Sequence, residues 1–280
     1  MSNNLARLIK HATQQLAESS TTAKLDAEVL LCYVLHKERS YLIAWPEKEI
    51  SPAQYDQFQL LVNRRRQGHP VAHLIQQKEF WSLNLCVSND TLIPRPETEL
   101  LVAQILTNYS ASPSKSLLDL GTGSGAIAIA IASERPQWNI TATDNSLNAL
   151  HIAQKNAQRH AINNITFKSG HWFAAIGEQR FDIIVSNPPY IAAADPHLSR
   201  GDVRFEPSTA LISGDDGLDD IRHLSQYAQQ HLNTHGMLII EHGYNQQNAL
   251  QSIFQQAGFK NIRQSTDLAG QPRSTCGIIL

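Results

Sequence analysis

The segment best suited to chemistry is Asn187-Pro188-Pro189-Tyr190, which follows directly on an apolar run at 181–186. A planar NH₂ group bonded to a carbonyl or an aromatic ring is a poor nucleophile, because its lone pair is delocalised. A site that alkylates such a group must accept both N–H hydrogens and aim the nitrogen. Asn187 offers a side-chain carbonyl, Pro188 a main-chain carbonyl with no competing N–H, and Tyr190 a flat face. The paired prolines restrict the backbone that carries the second acceptor. No general base is required, since the proton becomes acidic only after the nitrogen has formed its new bond. Asn-Pro-Pro is equally a good loop initiator where a strand ends, so its weight comes from its position.

Upstream, Asp119-Leu120-Gly121-Thr122-Gly123-Ser124-Gly125 leads from a short apolar run into small residues at 126–132. The glycines let the backbone turn sharply and a ligand approach where a Cβ would collide. The pattern suits either a nucleotide loop or a tight strand-to-helix turn. Its GxGxG spacing differs from the GxGxxG of nicotinamide and flavin sites, and no GKS or GKT makes it a P-loop. Asp144 ends the next apolar run, where a carboxylate can accept hydrogen bonds from both hydroxyls of a ribose. In the same place it can cap a helix beginning near Ser146. Loop and acid together point to a nucleoside ligand.

These residues need a scaffold, and the hydrophobic pattern supplies one. Short apolar runs at 116–120, 139–143, 165–168, 181–186 and 237–241 alternate with helical stretches, which predicts a parallel sheet covered by helices on both faces. Runs at 260–267 and 274–279, with a turn between them, add a final hairpin with an antiparallel strand. Before the sheet the period changes. Leu5, Leu8, Ile9, Ala12 and Leu16 recur at helical spacing, residues 27–35 repeat the pattern, and Ser51-Pro52 opens a third helix over 53–66. Residues 70–75 and 80–87 read as extended runs divided by Gln76-Gln77-Lys78, a hairpin between two domains.

A chain of 280 residues exceeds the roughly 100–200 that one ordinary core needs, so two domains, or one with an appendage, are expected. The net charge of −2 gives no protein-wide positive field for phosphate backbones. The one basic concentration, Arg64-Arg65-Arg66, reads as the solvated last turn of a helix or as a patch for an acidic or RNA-bearing partner. Cys32, Cys86 and Cys276 form no CxxC pair and read as buried apolar residues, and the twelve histidines form no ligand cluster, so no metal is expected. The longest small-plus-apolar run, 125–132, is far short of the roughly 20 residues of a bilayer span. The start Met1-Ser2-Asn3-Asn4 is polar, so a cytoplasmic protein is expected.

With Leu92-Ile93-Pro94-Arg95-Pro96-Glu97-Thr98-Glu99 and the helical region before it, these motifs resemble the HemK/PrmC family. Its members use S-adenosylmethionine to methylate the glutamine side-chain nitrogen, N5, of class I peptide chain release factors. The likeness covers nearly the whole chain, with matching stretches at Arg64-Arg65, Glu79-Phe80-Trp81, Trp172-Phe173, 210–218 and Glu241-His242-Gly243. It implies an α/β fold with the Rossmann-like sheet of class I S-adenosylmethionine-dependent methyltransferases, seven strands with the last hairpin antiparallel, and a small N-terminal helical domain. The implied domains are 1–68 for substrate recognition, 69–90 as a β-hairpin connector and 91–280 for methyl transfer.

By the same resemblance, Gly121, Thr122, Gly123, Ser124 and Gly125 would wrap the methionine and ribose of the cofactor. Asp144 would bind the ribose, and Trp172, by itself an ordinary core aromatic, would lie by the adenine. Asn187 would contact both the cofactor and the substrate amide. Asn187, Pro188, Pro189 and Tyr190 would hold the glutamine of a Gly-Gly-Gln loop, with Asn187, Pro188 and Tyr190 as the catalytic positions. His73 and Gln76 stand where relatives often have Tyr and Gly, and His171 where an acid is common. Arg95 and Glu97 either order the site entrance or form a surface ion pair. The rival readings are a glutamine of a ribosomal protein, an adenine N6 in nucleic acid, and a noncatalytic adaptor that binds S-adenosylmethionine. The Pro96-Glu97-Thr98-Glu99 version of the linker disfavours the first, a net charge of −3 over 91–280 the second, and the intact Asn187 motif the third. A monomer is expected.

Overall fold

The computed structural model describes residues 4–111 and 113–280; residues 1–3, on which the polar start rests, lie outside the described residues. The chain forms two compact units, one reaching Gln77 and including Ser199–Phe205, the other made of Lys78–Leu198 and Glu206–Leu280.

The first unit is helical: α1 (Leu5–Leu16), α2 (Ala23–Leu35), α3 (Arg39–Ala44), α4 (Pro52–Arg66) and α5 (Val71–Ile75). α1 buries Leu5, Leu8, Ala12 and Leu16, and the Asn4 side chain caps it by accepting from the Arg7 N–H. α4 opens on a capping box in which Ser51 and Gln54 each accept the other's main-chain N–H. Leu30, Leu31, Phe58 and Val62 complete the core.

Three local readings change here. The expected extended run at 70–75 is α5, one turn ending at Gln76 with φ 54°. Over five residues a period of two and a period of 3.6 cannot be told apart. Cys32 is half-buried while Cys86 and Cys276 are buried; it lies one helical step from Leu31, at the edge of the core. Arg64 and Arg66 are exposed, but Arg65 is buried, donating to Asp26 at 2.7 Å and Asp202 at 2.8 Å. A desolvated guanidinium persists only where carboxylates pair with it. Nearby, the Phe205 ring lies 4.5 Å from His69 and Arg204 donates to the Gln67 carbonyl. Residues 199–205 therefore close a unit built otherwise from the N-terminal part of the chain.

A hairpin leads into the second unit: β1 (Gln77–Phe80) and β2 (Leu83–Cys86), turning on Trp81 and Ser82 with φ 52° and 59°. The expected divide at Gln76-Gln77-Lys78 is displaced, because this primed turn forms without the Asn-Gly that normally announces it. The turn is held from outside: the Trp81 N–H donates to Glu99 at 2.8 Å and its indole to Glu134 at 2.9 Å. Then come α6 (Glu99–Asn108), β3 (Ser116–Leu120), α7 (Ala126–Glu134), β4 (Asn139–Asp144), α8 (Leu147–Arg159), β5 (Ile165–Ser169) and β6 (Phe181–Ser186). The unit ends with α9 (Asp219–Ala228), β7 (Leu232–Glu241), α10 (Gln247–Gln256), β8 (Lys260–Thr266) and β9 (Pro272–Ile278).

Seven of these strands form one sheet in the order β5-β4-β3-β6-β7-β9-β8, with β9 antiparallel to both neighbours. This is the expected mixed sheet with an antiparallel last hairpin. Alternate residues serve opposite cores: Leu117, Ile183 and Ile239 face α6 and α7, whereas Leu118, Ile184 and Leu238 face α9 and α10. Among the described residues no helix is long and apolar enough to cross a membrane.

The strand order fixes where a ligand can sit. From β3 the chain builds outward through β4 and β5, then returns to lay β6 on the other side of β3. A crevice opens at the carboxyl ends of strands at such a reversal. Leu120 pairs with Thr143 on one side and Ser186 on the other. The glycine loop, Asp144 and Asn187 thus leave three adjacent strands at the same edge.

Candidate active site

The glycine loop is tied to β4 before it reaches α7. The N–H groups of Gly121 and Thr122 both donate to the Thr143 carbonyl at 2.9 Å, and the Thr122 hydroxyl donates to Asp119 Oδ2 at 2.6 Å. Asp119 is buried, and desolvation pushes its carboxyl up to about 7, against the opposing hydrogen bond from Thr122. Asp144 grips the loop from the next strand: one oxygen accepts from the Gly123 N–H at 2.9 Å, the other from the Ser146 N–H at 2.8 Å. The cap of α8 is Ser146 itself, whose hydroxyl accepts from the Ala149 N–H at 3.2 Å, so Asp144 steadies that cap residue and does not cap the helix; bonded once at each oxygen, its carboxylate keeps lone pairs.

Asp144 and the loop line a cleft of about 190 Å³, together with Asp90, Leu92, Pro94, Thr98, His171, Trp172, Asn187, Pro189 and Asp220. Trp172 has φ 48°, and its ring packs so closely on Gly121 that a Cβ there would lie 3.2 Å from it. Its indole N–H donates to Asp220 Oδ1 at 3.1 Å, and the other oxygen of Asp220 accepts from the Ser213 hydroxyl at 2.7 Å. Asp220 went unnoticed in the sequence, although Asp219-Asp220 at the start of a helix just after Gly217 was an available signal.

At the end of β6 the Ser186 hydroxyl donates to the Leu120 carbonyl at 2.7 Å, joining the two strand ends. Asn187 follows, with its amide oriented: Nδ2 donates to Thr98 Oγ1 at 3.1 Å, while Oδ1 is buried and has no hydrogen-bond partner among the described residues. An unsatisfied buried carbonyl is costly, and this one belongs to a side chain that lines the cleft.

The sequence-derived residues divide at this point. Gly121, Thr122, Gly123, Ser124, Asp144, Trp172, Asn187 and Pro189 line the cleft; Gly125, Pro188 and Tyr190 are not among its lining residues. Gly125 instead caps α7 with φ 84°. Pro188 is buried. The Tyr190 hydroxyl donates to Glu241 Oε1 at 3.3 Å, and burial with that carboxylate pushes the phenol well above its usual range. Glu241 is itself buried and pushed up to about 7 by desolvation, against the hydrogen bond from Tyr190 and the positive charge of Arg273. Arg95 donates to the buried Glu206 at 2.5 Å, so its ion pair is with neither Glu97 nor solvent.

Comparison with known proteins gives concordant matches. The family model described as PrmC N-terminal domain matches residues 7–75, and that described as Methyltransferase small domain matches 95–202. The chain is 48% identical over 279 residues to the release factor glutamine methyltransferase of Vibrio cholerae, covering 99% of this chain and 97% of that protein. It is 45% identical over 269 residues to the protein of the same name from Escherichia coli, covering 96% of each. Among solved structures, a methyltransferase from Pyrococcus furiosus superposes with a TM-score of 0.54 at 17% identity, over 79% of this chain and 96% of that one. That likeness is one of fold.

Proposed function

The chain belongs to the release factor glutamine methyltransferase family, and from that premise we propose that it methylates N5 of the glutamine in the Gly-Gly-Gln loop of class I peptide chain release factors. The observation that carries this reading is Asn187: a buried carbonyl oxygen with no partner among the described residues, in a cleft bounded by a glycine loop and a strand-end carboxylate. A neutral amide N–H₂ is the donor that such an acceptor lacks.

The cleft fits S-adenosylmethionine as cofactor. A Cβ on Gly123 would meet nothing within 4 Å, leaving the main chain open to a close ligand. Asp144 offers acceptors for ribose hydroxyls, and Trp172 with Asp220 offers a flat face and a carboxylate for a purine. When bound, the cofactor supplies a methyl group made electrophilic by its sulfonium. Gly121, Thr122, Gly123 and Ser124 hold it, with Asp144 at the ribose and Trp172 at the base. Gly125 sets the loop against α7 rather than touching the ligand. Asn187 accepts one N–H of the glutamine amide through Oδ1, Pro188 accepts the other through its main-chain carbonyl, and Pro189 walls the cleft. Tyr190 acts from beneath, where its ring is anchored on Glu241. Catalysis is then mostly orientation in a site without bulk water, where fixing two reactants at about 3–3.5 Å contributes roughly 7–11 kcal/mol.

The helical region 1–68 recognises the release factor, 69–90 connects, and 91–280 carries out the transfer. The enzyme acts in the cytoplasm as a monomer, without a nucleic-acid substrate. Incubation with labelled S-adenosylmethionine and three acceptors, a release factor, a ribosomal-protein extract and DNA, tests this reading. Label is expected on the release factor alone, at the Gly-Gly-Gln glutamine by mass spectrometry; label on another acceptor or residue overturns it.

A further inference from the structure

A second groove, of about 390 Å³, lies within the second unit, between the start of α6 and the turn that joins β8 to β9. Much of its lining is apolar: Trp81 and Leu100 are half-buried, Pro96 is exposed and Leu268 completely so. Its charged lining is acidic throughout, with Glu97, Glu99 and Asp267 and neither lysine nor arginine. A lone exposed leucine is ordinary, but one beside an apolar groove rimmed by charge of one sign is the pattern of an interaction site. Two of these carboxylates are already engaged. Glu99 accepts from the Trp81 N–H at 2.8 Å, and Asp267 accepts from the Ala269 and Gln271 N–H groups of its own turn and from Arg273 at 3.0 Å. Glu97 has no hydrogen bond or salt bridge among the described residues, and the cation whose field reaches it, Arg273, is the one committed to Asp267.

The position of the groove ties it to the cleft. Because β9 is antiparallel to both neighbours, β8 runs in the direction of β6 and β7, and the β8–β9 turn emerges at the sheet edge where Asn187 leaves β6. Between the two sites lies the single turn Pro96–Thr98: Thr98 lines the cleft, whereas Pro96 and Glu97 line the groove. At about 3.3–3.6 Å per residue, an extended chain with one side chain in the cleft crosses such a turn within a few residues. We propose that the groove docks the stretch of protein substrate next to the acceptor amide, an extended segment that brings a basic side chain to Glu97 and an apolar one to Trp81 and Leu268. The proposal rests on the reading that the cleft receives a glutamine of a protein.

Charge selects the occupant. A phosphate-bearing chain or an acidic peptide would be repelled by the carboxylates, whereas a basic segment supplies the counter-charge that Glu97 lacks. Residues two apart in an extended segment share a face, so one side of it can present both the basic and the apolar side chain. Binding made away from the reacting atoms, and equal in ground and transition states, lowers KM and leaves kcat alone.

The test compares Glu97→Lys and Leu268→Ser with the unsubstituted enzyme, using a class I release factor and labelled S-adenosylmethionine, with cofactor Kd from calorimetry and association state from sedimentation velocity. KM for the release factor should rise by about 10–50-fold in Glu97→Lys and about 3–10-fold in Leu268→Ser, with kcat and cofactor Kd within about twofold. Added salt should shrink the first effect and spare the second. Independently of turnover, a glutamine-free peptide of Lys-Ser-Leu repeats should move the Trp81 indole ¹⁵N resonance of the unsubstituted enzyme, and a peptide of Glu-Ser-Leu repeats should not. Unchanged KM in both variants, an equal loss in kcat or cofactor binding, or a resonance that the basic peptide leaves unmoved or the acidic peptide moves as far overturns the docking role. Substitutions that alter self-association instead of KM overturn it in favour of a second copy of the chain. An unsubstituted enzyme that fails to label the release factor overturns the substrate reading instead, and the Trp81 resonance still decides what the groove binds.

Discussion

Replacing Gly125 by alanine separates two jobs that the glycine loop combines. Gly125 has φ 84°, and a Cβ built on it would lie 2.8 Å from Ile129 Cδ1, 3.1 Å from Ala153 Cβ and 3.3 Å from Ala153 Cα. Ile129 and Ala153 are fully buried on α7 and α8, so neither can retreat into solvent. The left-handed backbone costs a non-glycine residue about 1–2 kcal/mol, and overpacking a closed contact adds about 1–3 kcal/mol, giving a destabilisation of about 2–5 kcal/mol. Gly123→Ala is the control, because φ there is 56° while nothing lies within 4 Å of the new atom. It should cost only the backbone term, about 1–2 kcal/mol. Urea titration of both variants should therefore show Gly125→Ala less stable by about 1–3 kcal/mol. Calorimetry with S-adenosylmethionine should invert the order, since the methyl of Gly123→Ala projects into open space at the cleft. Equal stabilities, or weaker cofactor binding in folded Gly125→Ala than in Gly123→Ala, would refute the division.

Asn187→Ala removes one aimed acceptor and, by analogy with oxyanion-hole deletions, should raise the barrier by about 2.7–4 kcal/mol; near-normal kcat with the release factor would remove Asn187 from the reaction. Asp119 carries a carboxyl raised from 3.8 to about 7, so the folded state holds a proton that the unfolded chain has lost between those values. Its contribution is complete below pH 3.8 and disappears as pH rises through 7. Urea titrations across this range should show the stability advantage over Asp119→Asn shrinking with rising pH, by on the order of 4 kcal/mol at most. In the helical unit, Asp26→Ala strands a buried guanidinium and should cost about 3–5 kcal/mol. Asp202→Ala should cost less, because its side chain is 39% exposed where that of Asp26 is 9%; equal losses in the urea midpoint would count against this ranking.

Much of the scaffold could be read from local pattern. The runs that became β3, β4 and β6 are short and apolar, and their carboxyl ends coincide with the glycine loop, Asp144 and Asn187, so a switch-point crevice followed from chain order. What escaped depends on distance or depth. Nothing local to Arg64-Arg65-Arg66 says that the middle arginine is buried, because its partners lie 39 and 137 residues away. The turn at Trp81 and Ser82 lacks the residues that favour positive φ, since Glu99 and Glu134 hold it from elsewhere in the chain. Tyr190 illustrates a subtler loss. Its type suggested a flat face in the site, whereas the buried carboxylate of Glu241, 51 residues on, draws its hydroxyl away.

The capture of residues 199–205 by the helical unit sets an order on synthesis. Asp26 and Arg65 can pair as soon as α4 has emerged, but Asp202 is made 137 residues after Arg65. At roughly 5–20 residues per second this is a wait of about 7–27 seconds. During that interval the whole glycine loop, Asp144 and the Asn187 turn are translated. A nascent chain halted before Ser199 therefore carries a helical unit with one of Arg65's two carboxylates and no Phe205 against His69. The N-terminal unit is the first to be started yet waits for residues 199–205, so its completion reports that β3, β4 and β6, which end at the cleft, have already been translated.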